Sequence, residues 1–402
     1  MTADSVQITS RLFDTQVPLL ICKTGRYPNH HGGLFLARSV GRMGVPVAAM
    51  VESRFTPLAV SRYVTQRYPA LQVQPTADEF VARIASIARD LRVRPVLAAT
   101  DDEAAVLIDE NADDLAPYAR VPRQVPGMSR RVATKSDLSA LCTQLGVGTP
   151  RTMAPASVGE FVSFAEECRY PLVVKNEQPF SRRTRPGVDS TLVLNDADQA
   201  HDFAKLFDPQ APVIVQEYIP REHQMNLIYQ GYRSSGSEQI VSFTGVKWRD
   251  WPVGSGETTL CQGVVDVPLR ALGERLLDGL DYRGVCDLDV VVDRRDASLN
   301  LVDFNPRFGA NAAAFVARNG LDLVRAYHLD LTGQPLPASE QVDGVFFQVE
   351  HSDRLALRGG HPDRRVAVDA VSAFTSPDDP RPGVASGVRR GLGAVRRWGR
   401  SG

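Results

Sequence analysis

The stretch GVCDLDVVVDRRDASLNLVDFNPRFGANAAAF, from Gly284 to Phe315, constrains this chain most, because acidic residues stand inside two apolar strand patterns. Strand side chains alternate between faces with a period of two, so Asp287 and Asp289 share one face of the first strand, and Asp303 and Asn305 share one face of the second. A turn folded symmetrically about Asp296 sets Asp289 opposite Asp303 and Asp287 opposite Asn305. Directly opposed side chains have Cβ atoms roughly 4.5 to 5.5 Å apart, where two carboxylates repel unless a positive charge lies between them. An oxygen-only set suits a hard divalent cation, and Mg²⁺ takes one or two carboxylates and completes its shell with water and phosphate oxygens. A hairpin with one solvated face explains the alternation as simply. The continuation NPRFGANAAAF favours the metal: Pro306 follows the acids, Arg307 adds a fixed cation and Gly309 opens a helix-like run.

At 402 residues the chain calls for two or three folding units. A net charge of -1 provides no global attraction for nucleic acid, and no apolar run reaches the roughly 18 residues that span a bilayer. The N-terminus MTADSVQITSR lacks the apolar region of a signal peptide, so a cytoplasmic enzyme without stable membrane insertion is expected. The five cysteines show no metal-type spacing and read as reduced and structural. Of 46 basic residues only Lys23, Lys135, Lys175, Lys205 and Lys247 are lysine. Codon bias accounts for such a ratio, but a chain that uses arginine for its generic surface charge has also kept lysine where a compact ammonium is needed.

Taken in order, VPLLICK, LFLARSVGRMG and VPVAAMV read as a βαβ start whose turn TGRYPNHHGG lacks the GxGxxG dinucleotide fingerprint. His30 and His31 in that turn read as loop polar groups or substrate contacts rather than metal ligands. ADEFVARIASIARDL carries a helical stripe of Phe80, Ile84, Ile87 and Leu91, and RPVLAATDDEAAVLIDE reads as a strand followed by an Asp-capped helix, so a small doubly wound sheet ends near Pro117. VPRQVPGM is a proline-punctuated linker. TKSDLSALCTQLGVGTPRT reads as a helix with a Gly/Pro exit, and YPLVVKNEQP as a strand ending at Lys175. SRRTRPGVDSTLVLND has the composition of a hairpin flap with three arginines. FTGVKWRDWPVGSGETT sets Lys247 and Arg249 two apart on one strand, ahead of a glycine-rich bend, and Trp248, Trp251 and Asn311 join Arg249 as pocket candidates. GVFFQVEHSDRLALRGG reads as a closing strand or hairpin, and VASGVRRGLGAVRRWGRSG, with five arginines and no acid, as a loosely ordered basic tail or a membrane-surface helix.

These segments together resemble the ATP-grasp superfamily, in its carboxylate–amine ligase branch of the D-aspartate ligase type, over nearly the whole chain to about Gly333. The resemblance implies an α/β and α+β protein: an N-terminal doubly wound pre-ATP-grasp domain followed by a two-subdomain ATP-grasp fold. Its divisions are 1–120, a linker at 121–127, a subdomain at 128–211 with the nucleotide lysines and flap, and a metal-bearing subdomain at 212–335, followed by closing strands at 336–375 and a flexible basic tail at 376–402. It assigns Lys135 and Lys175 to nucleotide phosphates, the hinge VIVQEYIP with Gln216, Glu217 and Ile219 to the adenine edge, and Glu222 to the ribose. Lys247 and Arg307 fall to the transferred phosphoryl group, and Asp289, Asp303 and Asn305 to the metal, with Asp287 as the alternative to Asp289. LVDFNPRFG is similar to the family signature E-x-N-P-R, with Asp303 in place of the usual glutamate, and the arginine-rich flap departs from the family's Gly/Ser-rich loop.

What the resemblance implies is ATP with Mg²⁺, or Mn²⁺ in its place, acting on a small-molecule carboxylate and amine to form an amide or peptide bond through an acyl phosphate. An amino acid or short peptide is the expected substrate, and a homodimer is left open. The alternatives are a phosphotransferase on the same fold and a non-catalytic ATP-binding module; a Rossmann oxidoreductase is disfavoured by the missing glycine fingerprint.

Overall fold

Three of the four strands in the first sheet are unbroken apolar runs. β1 (Leu19–Cys22), β2 (Val47–Val51), β3 (Val64–Pro69) and β4 (Val96–Ala99) pair in parallel in the order β3-β2-β1-β4. β1, β2 and β4 are buried along their whole length, so they show no polar alternation, while the edge strand β3 is largely exposed. The helix Ala77–Leu91 opens with a capping box between Thr76 and Glu79 and buries Phe80, Ile84 and Ile87 against this sheet. Asp101 caps the helix Asp102–Glu110 through Ala104 N–H, and its second oxygen accepts from Thr24 and Gly25 N–H at 2.9 and 2.7 Å. One carboxylate thereby fastens the loop after β1 to the helix after β4.

The computed structural model describes residues 7–398 except 26, 72–73, 179–186, 189–190, 221–225 and 255, with backbone alone at 391–398. Glu222 and the arginines of the expected flap lie outside the described residues. A second sheet, antiparallel, has the order β5-β8-β6-β7, formed by β5 (Thr152–Met153), β6 (Leu172–Asn176), β7 (Leu192–Leu194) and β8 (Val213–Glu217). The third and largest runs β13-β12-β9-β10-β11-β14-β15: β9 (Asn226–Arg233), β10 (Ile240–Trp251), β11 (Glu257–Gly263), β12 (Gly284–Val292), β13 (Leu299–Asn305), β14 (Phe346–Gln348) and β15 (Val371–Ser372). The helix Leu323–Leu331 joins the first sheet to the third. Tyr327 donates its hydroxyl to Leu97 C=O at 2.6 Å on one side and packs edge-on against Tyr232 on the other. This is the mixed α/β and α+β organisation that the sequence implies. The five cysteines are free and buried, and among the described residues no helix is long and apolar enough to cross a membrane.

Three local readings are corrected. The run after Gly309 forms only a short 3₁₀ turn, Ala312–Ala314. After β14 the chain turns into the helix Glu350–Arg358 instead of a hairpin; its acids in the first turn and Arg358 in the last complement the helix dipole, a signal outweighed by the apolar run Phe346–Val349. The stretch read as a loose tail carries the helix Arg381–Trp398. Its glycines disfavour an isolated helix, but tertiary contacts anchor it: Pro382 and Ser386 are buried, and Asp379, just ahead of it, accepts from Arg38 Nε at 3.0 Å, Ser61 Oγ at 2.7 Å and Arg62 N–H at 2.9 Å.

Candidate active site

β12 and β13 pair with Asp289 opposite Asp303 and Asp287 opposite Asn305. Nearer the turn the ladder is centred half a residue earlier, with Val292 opposite Leu299, and a bulge at Val302 restores the register that aligns the acids. The facing carboxylates are neutralised by lysines from two other elements. Lys135, the first residue of the helix Lys135–Gln144, pairs with Asp303. Lys247 reaches from β10 across β9, its Nζ 2.6 Å from Asp289. Burial alone raises the Asp303 carboxyl, yet Lys135 and Lys175, with Arg307, more than offset it and hold it down to about 2. For Lys247 burial acts to lower the ammonium, and Asp289, Asp287 and Asp303 overcome it and raise it. Asp303 and Lys247 are therefore each held in the charged form by the opposite charges that face them.

Asp287 has a different role. It accepts from Arg307 Nη1 at 2.9 Å and from Gln230 Nε2 at 3.0 Å, while Asn305 donates its amide to the Asp287 carbonyl at 3.0 Å. Burial pushes the Asp287 carboxyl above its usual range, with Arg307 opposing. Arg307 also lies 3.2 Å from Asp102, at the start of the helix after β4, so this guanidinium ties the first sheet's connection to the acidic hairpin. Gln230 holds Asn311 as well, at 2.6 Å. Gly309 sits directly against this cluster: a Cβ there would lie 1.9 Å from Gln230 Nε2 and 2.9 Å from the Asp287 carboxyl carbon. Because Gln230 is fully buried and cannot withdraw, Gly309→Ala is expected to destabilise the protein by about 1–3 kcal/mol through overpacking. Urea unfolding of that variant with an unchanged midpoint would contradict the packing seen here.

These groups line a cleft of about 840 Å³ between the second and third sheets. Lys135, Lys175, Gln216, Glu217, Ile219, Lys247, Asp289, Asp303, Asn305 and Arg307, every expected site residue among those described, fall on its walls. At the hinge, Glu217 N–H is engaged by Arg151 C=O at 2.9 Å, Tyr218 N–H by Pro171 C=O at 3.0 Å, and Gln216 donates to Thr152 Oγ1 at 3.1 Å. Trp248, Trp251 and Asn311 also line the cleft. Arg249 lines the cleft as well, but its 2%-exposed side chain is held by Asp353 at 2.7 and 2.8 Å, and bulges on either side of it interrupt the alternation with Lys247. Among the described residues no cluster of three or more His, Cys, Asp or Glu is arranged for a metal. Asp289, Asp303 and Asn305 offer an oxygen-only set of the kind that Mg²⁺ completes with phosphates and water, so the residues present fit that ion.

His31 is buried among Phe347 and Phe374, with ring centroids at 5.6 and 5.9 Å, and burial first, then Arg390, lowers it to about 4. His328, bonded to Val17 C=O at 2.8 Å, is lowered for the same first reason. A histidine whose pKa is depressed on folding lends stability that is complete above its unfolded value near 6.5 and is lost as the pH falls through the folded value. Urea midpoints should therefore decline between about pH 6.5 and 4. The decline should be shallower in His31→Gln; a flat profile in the parent protein would refute the burial argument.

Sequence reading passed over Asp102, Gln230, Asp250 and His361, the last contributed from over a hundred residues beyond the Lys247 strand. Asp102 follows the capping Asp101 in ATDDE, in the first turn of its helix, and the stretch around Gln230 carries no motif.

No protein-family model matches the chain. Solved structures are similar across most of it. The N5-carboxyaminoimidazole synthetase from Staphylococcus aureus, complexed with ADP, superposes with a TM-score of 0.63 at 14% identity, covering 90% of this chain and 92% of that one. An L-amino acid ligase from Bacillus licheniformis gives 0.57 at 13% identity, covering 80% and 74%. The biotin carboxylase domain dimer of the Hydrogenobacter thermophilus 2-oxoglutarate carboxylase, in complex with MgADP, ADP and bicarbonate, gives 0.61 at 11%, covering 82% and 73%. With three sheets in this arrangement and a cleft between the second and third, the chain has the ATP-grasp fold.

Proposed function

We propose that this protein is an ATP-dependent carboxylate–amine ligase that forms an amide or peptide bond through an acyl phosphate and produces ADP. The observation that carries this reading is the opposed pair Asp289 and Asp303 on the cleft wall, each matched by a lysine from a separate element. With nucleotide and metal bound, the carboxylates would face the cation and the ammonium groups would face phosphate oxygens. Asp289, Asp303 and Asn305 would hold Mg²⁺, which when bound supplies charge neutralisation on the β- and γ-phosphates. Asp287 is bound to Arg307 and Gln230, which favours Asp289 over it as the ligand.

Ile219 N–H, next along the hinge after the engaged Glu217 and Tyr218, is the donor for the adenine edge. Lys135 and Lys175 hold the polyphosphate; Lys247 and Arg307 meet the transferred group, where positioned charge supplies most of the rate enhancement. A substrate carboxylate oxygen forms the new bond to the γ-phosphorus as the bond to the ADP oxygen breaks. The amine then attacks the acyl carbon, loses a proton and expels inorganic phosphate. Small-molecule acid and amine, ATP and a divalent cation are thus the partners of the reaction. The purified protein with Mg²⁺ and ATP should release ADP only when a matching acid and amine are both present. Release driven by a hydroxyl compound without any amine would indicate phosphoryl transfer instead.

A further inference from the structure

Beyond Lys247 the strand β10 runs on to Asp250 and Trp251, in a part of the cleft with no nucleotide role in the reading above. The C-terminal segment folds back against it. The helix Glu350–Arg358 is followed by Gly359, packed so closely on Trp251 that a Cβ would lie 2.3 Å from the indole ring, and then by His361, 1% exposed, with Nε2 3.4 Å from Asp250 Oδ1. His361 Nδ1 accepts the Asp363 N–H at 3.2 Å, so this imidazole is neutral and carries its proton on Nε2, toward Asp250. Gly254 N–H donates to the same carboxylate at 2.9 Å.

Both of these partners are neutral donors, so they orient the Asp250 charge without cancelling it. The neighbouring guanidiniums are engaged elsewhere: Arg249 on Asp353, and Arg365 over the Trp248 ring at 3.3 Å with Asp363 beside it at 3.6 Å. Among the described residues no lysine or arginine pairs with Asp250. A held, uncompensated carboxylate beside two indoles on a cleft wall suits an ammonium or guanidinium. It stands three residues from Lys247 along β10 and lines the same cleft, so one basic amino acid can set its carboxylate toward Lys247 and its side-chain cation toward Asp250.

Resting on the ligase reading for the chemistry at Lys247, we infer that the acid substrate is a basic amino acid, activated at its α-carboxylate, with its side-chain cation on Asp250. Asp250 is the specificity residue and His361 the positioning residue. The test compares arginine with citrulline and lysine with norleucine, each with a panel of amino acids as amine, by ADP release and product mass. It is paired with calorimetric binding of arginine in the presence of Mg²⁺ and ADP. The basic members should show kcat/KM at least about tenfold higher, the scale of one charge-assisted hydrogen bond. Asp250→Asn, which keeps an oxygen for Gly254, should raise their KM by about the same factor. His361→Ala should raise KM with little change in kcat, and His361→Gln, which still offers an N–H, should restore it. Equal use of citrulline and arginine, or an unchanged KM in Asp250→Asn, overturns the inference and leaves the ligase reading standing. Arginine binding that Asp250→Asn abolishes, without ADP release from any pair, upholds the cation site and refutes the ligase reading. No arginine binding by the parent protein overturns the cation site.

Discussion

Asp303→Ala is expected to lower ATP turnover by roughly 10³-fold, the scale of removing one preorganised charge from a phosphoryl-transfer site. Asp303 is held ionised by Lys135 and Lys175, opposite Asp289, so its loss removes one of two carboxylates from the proposed metal set and leaves Lys135 without its counter-ion. The side chain is 27% exposed and Lys135 15% exposed, so both groups remain accessible to water and the fold should survive. ADP release and a thermal melt on the same sample separate the two effects. Asp303→Glu keeps the carboxylate and adds one methylene, and it should retain measurable turnover. Undiminished turnover in Asp303→Ala would sink the metal assignment.

The acidic hairpin was legible because its geometry is local: a period of two and a short turn set which acids face each other, and a single bulge corrects the half-residue error. The few lysines fall at particular places. Lys135, Lys175 and Lys247 line the cleft, Lys23 is buried 2.8 Å from Glu52, and Lys205, paired with Asp202, is the surface lysine of the set. What sequence could not show depends on contacts between distant segments. That the Arg249 charge is taken up by a buried carboxylate is hidden in the sequence, because its partner lies 104 residues away. The helix at Arg381–Trp398 was missed because glycine content predicts local entropy but not the anchoring of Asp379 on Arg38 and Ser61. The same limitation hid His361, whose place beside Asp250 follows from the packing of Gly359 on Trp251.

Asp353→Ala is expected to destabilise the protein by about 3–5 kcal/mol, the largest stability loss of any single substitution considered, because it removes the two-pronged partner of a buried guanidinium. Arg249 and Asp353 are 2% and 0% exposed, and the carboxylate also accepts from Thr259 Oγ1 at 3.1 Å and Gln348 Nε2 at 2.6 Å. Removing it takes the acceptor from Thr259, Gln348 and the Nε and Nη2 of Arg249, whose Nη1 keeps only Arg365 C=O at 2.8 Å and Asp363 at 3.5 Å. The pair itself need not be strongly stabilising, since moving two charges out of water offsets most of their attraction. Arg249→Met combined with Asp353→Leu should therefore recover a large share of the loss, and the double-mutant cycle in urea should show strong coupling between the sites. Additive losses would mean that Arg249 reaches water or another anion once Asp353 is gone. Because Asp353 fastens the helix that leads into Gly359 and His361 onto β10 and β11, the single variant should also raise KM for the substrate bound at Asp250 under conditions where it remains folded.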